Sequence, residues 1–232
     1  PGPEKYAIAN SDEGDPGSFV DRVLLESDPH ALLEGLALCA FAIGARHGIV
    51  YVRSEYPRAA ERVEGALAEA RAAGLIGASV AGSDFALDVR VVRGEGSYVC
   101  GEETALIAAL EGRRGEVRVR PPYPTSHGLF GRPTVVNNAE TLVSAAWIVR
   151  NGPDAFRALG TAASRGTKAI CLNAGFARPG IVEAEFGVSL RELIEGAAGG
   201  ARGGEPLAAE ALGGPMGSVL LPDEWDVPLC YE

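Results

Sequence analysis

The sequence predicts an α/β fold, a parallel sheet with flanking helices, followed by a small α+β unit. Strand-like apolar runs alternate with amphipathic helix-like runs through the first part of the chain, and such crossovers are what parallel neighbours need. A glycine-rich turn leads from strand to helix within "VVRGEGSYVCGEETALIAALEG". Late in the chain two short strand-like segments face one another across "ARPG", a hairpin signal.

Taken in order, "KYAIAN" (residues 5–10) reads as a short buried strand and "SDEGDPGSF" as a turn-rich acidic loop. A helix follows in "DPHALLEGLALCAFAIGARHG". Asp28 is its N-cap, Pro29 its first residue, Leu32, Leu36, Cys39 and Ile43 its apolar face, and Gly48 lies past its end. "GIVYVRS" is the second strand. "YPRAAERVEGALAEARAAG" is the second helix, with Ala60, Val63, Leu67 and Ala70 on one stripe and Gly74 as its stop. "FALDVRVVRG" is the third strand, and the third helix runs from about Glu102 to Arg113.

Residues 115–134, "GEVRVRPPYPTSHGLFGRPT", are too irregular for a helix and too interrupted for a strand, so a long ordered loop or lid is expected. "VVNNAETLVSAAWIVRNG" restarts a helix, with Asn137 as cap, Glu140 three residues on, and Leu142, Ala145 and Ile148 on the stripe. "DAFRALG" is a short further turn, and "AASRGT" (162–167) a linker. The strands "KAICLNAGF" and "GIVEAEFG", a helix "SLRELIEGAAGG" and short strands around "PLAAEAL" and "SVLL" complete the small unit. The expected domains are residues 1–161 and 167–232.

Composition narrows the function classes. The 232 residues carry 21 Lys plus Arg against 31 Asp plus Glu, a net charge of −10, which argues against a generic nucleic-acid or anionic-membrane surface. No apolar run reaches bilayer length and the Pro-Gly-Pro start lacks a secretory pattern, so a cytoplasmic protein is the expectation. The cysteines, Cys39, Cys100, Cys171 and Cys230, are far apart without a CxxC spacing, so neither a zinc site nor a thiolate-held cluster is expected.

Three segments could carry chemistry. Asn10, Asp12, Glu13 and Asp15 crowd just after a strand, either as a solvated acidic turn or as acceptors for the hydroxyl and N–H groups of a ligand. "GEGSYVCGEETAL" has neither dinucleotide nor phosphate-loop glycine spacing; Glu102 and Glu103 could simply complement a helix dipole. That reading leaves Tyr98 and the glycines Gly94, Gly96 and Gly101 unexplained. Arg113, Arg114, Arg118, Arg120 and Arg132 either are ordinary surface or, the reading an acidic chain favours, hold phosphates or acidic neighbours, while His127, Asn137 and Asn138 also have bland readings as a surface histidine and helix caps.

Together, "ANSDEGDPGSFVDR", "YVCGEETALIAALEGRRG", "PPYPTSHGLFGRPTVVNNAETL" and "GGPMG" resemble the NADH-binding flavoprotein subunit of respiratory complex I and the related diaphorase subunits of NAD-dependent formate dehydrogenases and NAD-reducing hydrogenases. The resemblance implies a Rossmann-like domain holding FMN, then a ubiquitin-like β-grasp (SLBB-type) domain. It implies an FMN that takes hydride from NADH, or returns it to NAD, and exchanges electrons singly with iron–sulfur clusters. It further implies flavin contacts from Asn10, Asp12, Glu13, Tyr98, Gly101, Glu102, Val136, Asn137, Asn138 and Thr141. Glu103 would stand beside the nicotinamide, disfavouring excess negative charge and assisting product release, and Asp15, Arg120 and Tyr123 would face NADH.

The family's complex I members usually have Glu, Lys and Phe where this chain has Asp15, Arg120 and Tyr123, so nucleotide contacts differ in detail while charge and aromatic stacking persist. Its glycine-rich "GRGGAGFP"-type segment belongs before Lys5, and its 4Fe–4S domain after Glu232. The resemblance therefore implies either a fragment or a shortened relative completed by a partner. Implied partners are iron–sulfur subunits, among them a thioredoxin-like 2Fe–2S protein, in a complex at most peripheral to the inner membrane. Two other classes stay open: an incomplete flavin-fold module with a structural or assembly role, and a β-grasp ligand-binding protein with a scaffold domain. Joint retention of Tyr98, Glu103, Asn137 and Asn138 speaks against a pure scaffold. Glu95, where the family commonly has Ala, has no explanation.

Overall fold

The computed structural model of the chain describes residues 4–231. Two compact units divide it: one holds residues up to Gly14 and Asp21–Trp147, the other Asp15–Val20 and the residues from Ile148 onward. The boundary at Trp147 lies before the 162–167 linker, and a six-residue segment from the acidic loop belongs to the second unit.

The first unit is built on four parallel strands, β1 (Tyr6–Ser11), β2 (His47–Val52), β3 (Asp88–Arg93) and β4 (Thr134–Asn138), in the order β3-β2-β1-β4. Period-two alternation divides their side chains between two cores. Ala7, Ala9, Val50, Val52 and Val89 face one core with helices α1 (Val20–Ser27), α2 (Pro29–Ile43) and α3 (Pro57–Ala72). Tyr6, Ile8, Ile49 and Tyr51 face the other, with α4 (Glu103–Leu110). A short turn α5 (Pro124–His127) precedes β4, and α6 (Ala139–Asn151) leaves it, packing Ala139 and Leu142 into the first core.

The expected stripe on α3, Ala60, Val63, Leu67 and Ala70, is buried throughout. Helix α2 starts as expected, with the Asp28 side chain accepting from Ala31 N and Pro29 in the first turn, but it ends at Gly44, not Gly48. Gly44 is left-handed and caps the helix, while Gly48 is already inside β2, paired with Ala7. Helix α1 has no counterpart in the sequence pattern; its eight residues, "VDRVLLES", are too short for a clear helical stripe. Strand β4 has none either, because its five residues run without a break into α6. The strand also displaces the cap by one residue: Asn138, not Asn137, accepts from Glu140 N, at 3.0 Å.

Residues 115–134 form an irregular strap, with α5 and the tight turn Leu129–Gly131 as its only helical pieces. In the second unit α7 (Pro153–Arg157) is followed by two antiparallel pairs. These are β5 (Thr167–Leu172) with β6 (Gly180–Glu185), and β7 (Glu210–Leu212) with β8 (Ser218–Leu220). The helix expected in "SLRELIEGAAGG" is a short, wide-wound segment at Glu192–Ala197. Its Leu193 and Ile194 are buried, and Ile194 joins Leu172, Phe176, Leu190 and Trp225 in a core of its own. Among the described residues no helix is long and apolar enough to cross a membrane.

One glycine sets the spacing of the first core. A Cβ at Gly35 in α2 would sit 2.0 Å from the Leu142 carbonyl oxygen of α6, so the two backbones touch only because this side chain is absent. Gly35→Ala should therefore lower stability by at least about 1 kcal/mol in urea denaturation, despite the helix-propensity gain of about 0.5–1 kcal/mol that alanine brings elsewhere. An unchanged or raised midpoint would show that α6 shifts freely.

Candidate functional site

Strand order places the site. The chain runs outward from β1 to β2 and β3, then returns to put β4 on the other side of β1, so the order reverses between β1 and β4. At such a reversal the loops leaving the two strand ends diverge and open a crevice. Register brings Asn10 beside Asn138 and Ala9 beside Asn137 at those carboxyl ends.

Asn10 ties the first loop to the glycine-rich turn. Its Nδ2 donates to Gly101 O at 2.9 Å, and its Oδ1 accepts from Asp12 N at 3.0 Å. Gly14 lets the exposed Tyr98 ring lie against this loop, since a Cβ there would be 2.6 Å from Cδ2 of the ring. Glu13 is held by the protein: its Oε2 accepts from Tyr56 Oη at 3.3 Å and Arg22 N at 3.4 Å, and its carbonyl accepts from Arg53. Arg53 in turn makes a forked pair with Glu55, at 2.9 and 3.1 Å.

The paired glutamates divide their work. Glu102 is the N-cap of α4, with Oε2 accepting from Thr104 N at 2.9 Å, Ala105 N at 3.0 Å and Thr104 Oγ1 at 2.5 Å. Its other oxygen, Oε1, is buried without a hydrogen-bond partner. Glu103 Oε1 meets Arg120 Nη1 from the strap at 2.6 Å, and Arg120 Nη2 is 3.9 Å from Glu102 Oε1. Tyr123 is exposed at the head of α5.

Across the crevice Asn138 Nδ2 donates to the buried Asp21 at 2.8 Å and to Asn10 O at 3.4 Å. Asn137 Nδ2 points to Cys39 Sγ at 3.7 Å. Val136 packs on the core that includes Ile8 and Leu106, and Thr141 is exposed in the first turn of α6. The structure thus brings Asn10, Asp12, Glu13, Tyr98, Gly101, Glu102, Glu103, Arg120, Val136, Asn137, Asn138 and Thr141 to one edge of the first unit. Asp15 falls in the second unit, where its carboxylate lies near Gly214.

Electrostatically Asp12 is the strained member. Half-burial pushes its carboxyl up to about 6; the Arg53 charge opposes that rise and the Glu55 charge adds to it. Burial, helped by Glu13, also pushes the Tyr56 phenol up to about 12, so it stays a donor to Glu13 at any ordinary pH. Among the described residues no cluster of His, Cys, Asp and Glu could hold a metal ion, and all four cysteines are free thiols.

Asp21, Arg53, Tyr56 and Thr104 lie outside the set of residues expected from the sequence. Asp21, Arg53 and Tyr56 act across 40–117 residues of chain, which no local pattern encodes. Thr104 does carry a signal: a hydroxyl two residues after a helix-capping acid is placed to meet that acid.

Residues 1–147 match the family model described as the Nuo51 FMN-binding domain. The chain is 44% identical over 229 residues to the NADP-reducing hydrogenase subunit HndC of Solidesulfovibrio fructosivorans, a match covering 99% of the chain and 46% of that protein. It is 45% identical over 231 residues to an NADH-quinone oxidoreductase subunit of Rhizobium meliloti (strain 1021), covering 100% of the chain and 55% of the relative. A crystal structure of NAD+-reducing [NiFe]-hydrogenase in the H2-reduced state superimposes with a TM-score of 0.88 at 43% identity, over 99% of this chain and 39% of that one. The chain spans about half the length of the curated relatives it matches.

Two outcomes follow from the geometry. The folded carboxyl of Asp12 titrates near 6 and the unfolded one near 3.8, so the folded state holds the proton more tightly and stability falls as pH rises between these values. Asp12→Asn should raise the melting temperature at pH 7.5, with the gain fading toward zero near pH 4; a pH-independent gain would contradict burial as the cause. Glu102→Ala should cost about 1 kcal/mol of stability through the lost cap, and Glu102→Gln distinctly less, as read by urea denaturation.

Proposed function

The chain belongs to the family of the Nuo51 FMN-binding domain, and we propose that its first unit holds FMN at the carboxyl ends of β1 and β4 and at the turn before α4. In this reading the chain is part of a flavoprotein subunit that exchanges hydride with NADH or NAD and electrons with iron–sulfur clusters. Those clusters would lie in a further domain or in partner subunits, a thioredoxin-like 2Fe–2S protein among them. The second unit would be an SLBB-type β-grasp domain, the whole acting in the cytoplasm or against the inner face of a membrane.

The observation that carries the proposal is an unsatisfied acceptor at the crevice. Glu102 Oε1 is a buried acceptor without a hydrogen-bond donor, and an acceptor so placed fits the N–H and hydroxyl groups of a flavin ring and its ribityl chain. Asn10, fastened to Gly101 O and to Asp12 N, holds the neighbouring loop against this turn. For the phosphate, so much carboxylate is unsuitable, and the N-terminus of α6 next to Asn138 is the favourable place. The residues present therefore fit the group.

Bound there, FMN supplies redox chemistry, taking two electrons as hydride and passing them on singly. The chain's own residues position and insulate. Asn10 locks the two loops that line the crevice, Tyr98 offers an exposed aromatic face for stacking, and the Arg120–Glu103 pair stands at the mouth. Glu103 would offer the nucleotide a fixed negative charge, and Arg120, its partner at the mouth, a cation suited to ribose or phosphate.

The test is reconstitution of the full-length protein with FMN. It should acquire flavin absorbance, which NADH then bleaches, and Asn10→Ala should weaken FMN binding at least tenfold. A full-length protein that takes up no FMN would favour the assembly-module reading. Because NADH carries one positive charge fewer than NAD+ at the nicotinamide, Glu103→Gln should shift the ratio of affinities severalfold toward NADH. Equal ratios in wild type and variant would remove Glu103 from the nucleotide site.

A further inference from the structure

We infer that Thr104 is a positioning residue of this site, a single hydroxyl that both aims the Glu102 carboxylate and fastens the strap that carries Arg120 and Tyr123. The inference rests on the FMN reading above. Thr104 is only 2% exposed, in the first turn of α4. Its Oγ1 lies 2.8 Å from Arg118 N and 2.5 Å from Glu102 Oε2.

Proton counting fixes the direction of both bonds. The Arg118 N–H can only donate, so Oγ1 accepts there and its one proton goes to Glu102. With Thr104 N and Ala105 N also donating, three hydrogen bonds converge on Oε2. The carboxylate therefore cannot rotate without breaking all three, and Oε1 stays presented as the buried acceptor that holds no donor from the chain. The same hydroxyl anchors the strap at Arg118, two residues before the arginine that meets Glu103. One oxygen atom thus contributes both to the orientation of the acceptor and to the attachment of the strap.

Valine is close to threonine in volume but lacks the hydroxyl, so Thr104→Val removes both bonds and leaves the Arg118 N–H without its acceptor. In the full-length protein Thr104→Val should bind FMN about tenfold more weakly than wild type and shift the absorption band of the bound flavin. Without FMN, its backbone amides at residues 116–120 should exchange hydrogen at least tenfold faster. Thr104→Ser keeps the hydroxyl and should restore affinity, spectrum and slow exchange to within twofold. Thr104→Ala carries the same expectation as the valine variant should that one not fold. A wild type that binds FMN, with Thr104→Val binding equally well and exchanging equally slowly, would overturn the inference alone. A wild type that takes up no FMN would overturn the site reading and the inference with it, which the wild-type arm shows directly.

Discussion

Everything at the site hangs on β1 being paired on both edges. Tyr6, Ala7, Ile8 and Ala9 are fully enclosed, hydrogen-bonded to β2 on one side and β4 on the other, with opposite faces of the strand feeding two separate cores. A strand held in this way has no freedom to slip, because a one-residue shift would turn both apolar sets the wrong way round. Its last residues then emerge at a fixed height beside β4. Asn10 links the acidic loop, the glycine-rich turn and the asparagine pair to that end: one bond to Gly101, one to the loop's own Asp12, one accepted by its backbone from Asn138.

Charge is distributed so that most of the acids are occupied before any ligand arrives. Glu13 answers Tyr56 and Arg22, Glu102 caps a helix, and Glu103 pairs with Arg120. The paired glutamates would be out of place in a phosphate cradle, and they do not form one: the first closes a helix end while keeping one oxygen in reserve, the second balances a cation on the strap. Asp12 differs, since burial pushes its carboxyl up to about 6, so that it holds its proton through the mildly acidic range and is charged at a cost to stability above it.

Legibility follows sequence distance. The three early strands, the stripe on α3 and the hairpin of β5 and β6 are readable because apolar periodicity acts within a dozen residues. Strand β4 is hidden, since "TVVNN" has the apolar residues of a helix start and passes directly into one, and that merger moves the expected cap from Asn138 to Asn137. The candidate site residues are expected from a motif resemblance, and the side chains that hold them are not. Asp21 reaches Asn138 from 117 residues away and Arg53 reaches Glu13 from 40, pairings that exist only once the sheet has formed.

The short excursion of residues 15–20 into the second unit bears on how such a chain can be taken apart. The family match ends at residue 147, as though one gene segment encoded one body, yet the segment just before α1 belongs to the body made mainly from residues 148 onward. Within that body Phe19 N donates to Cys171 Sγ at 3.2 Å. A piece cut at the end of the match would carry a six-residue guest with no host, drawn from the acidic loop and the first residue of α1. Inheritance as a unit and self-sufficiency as a folding unit are different properties, and here a single stitch of chain separates them.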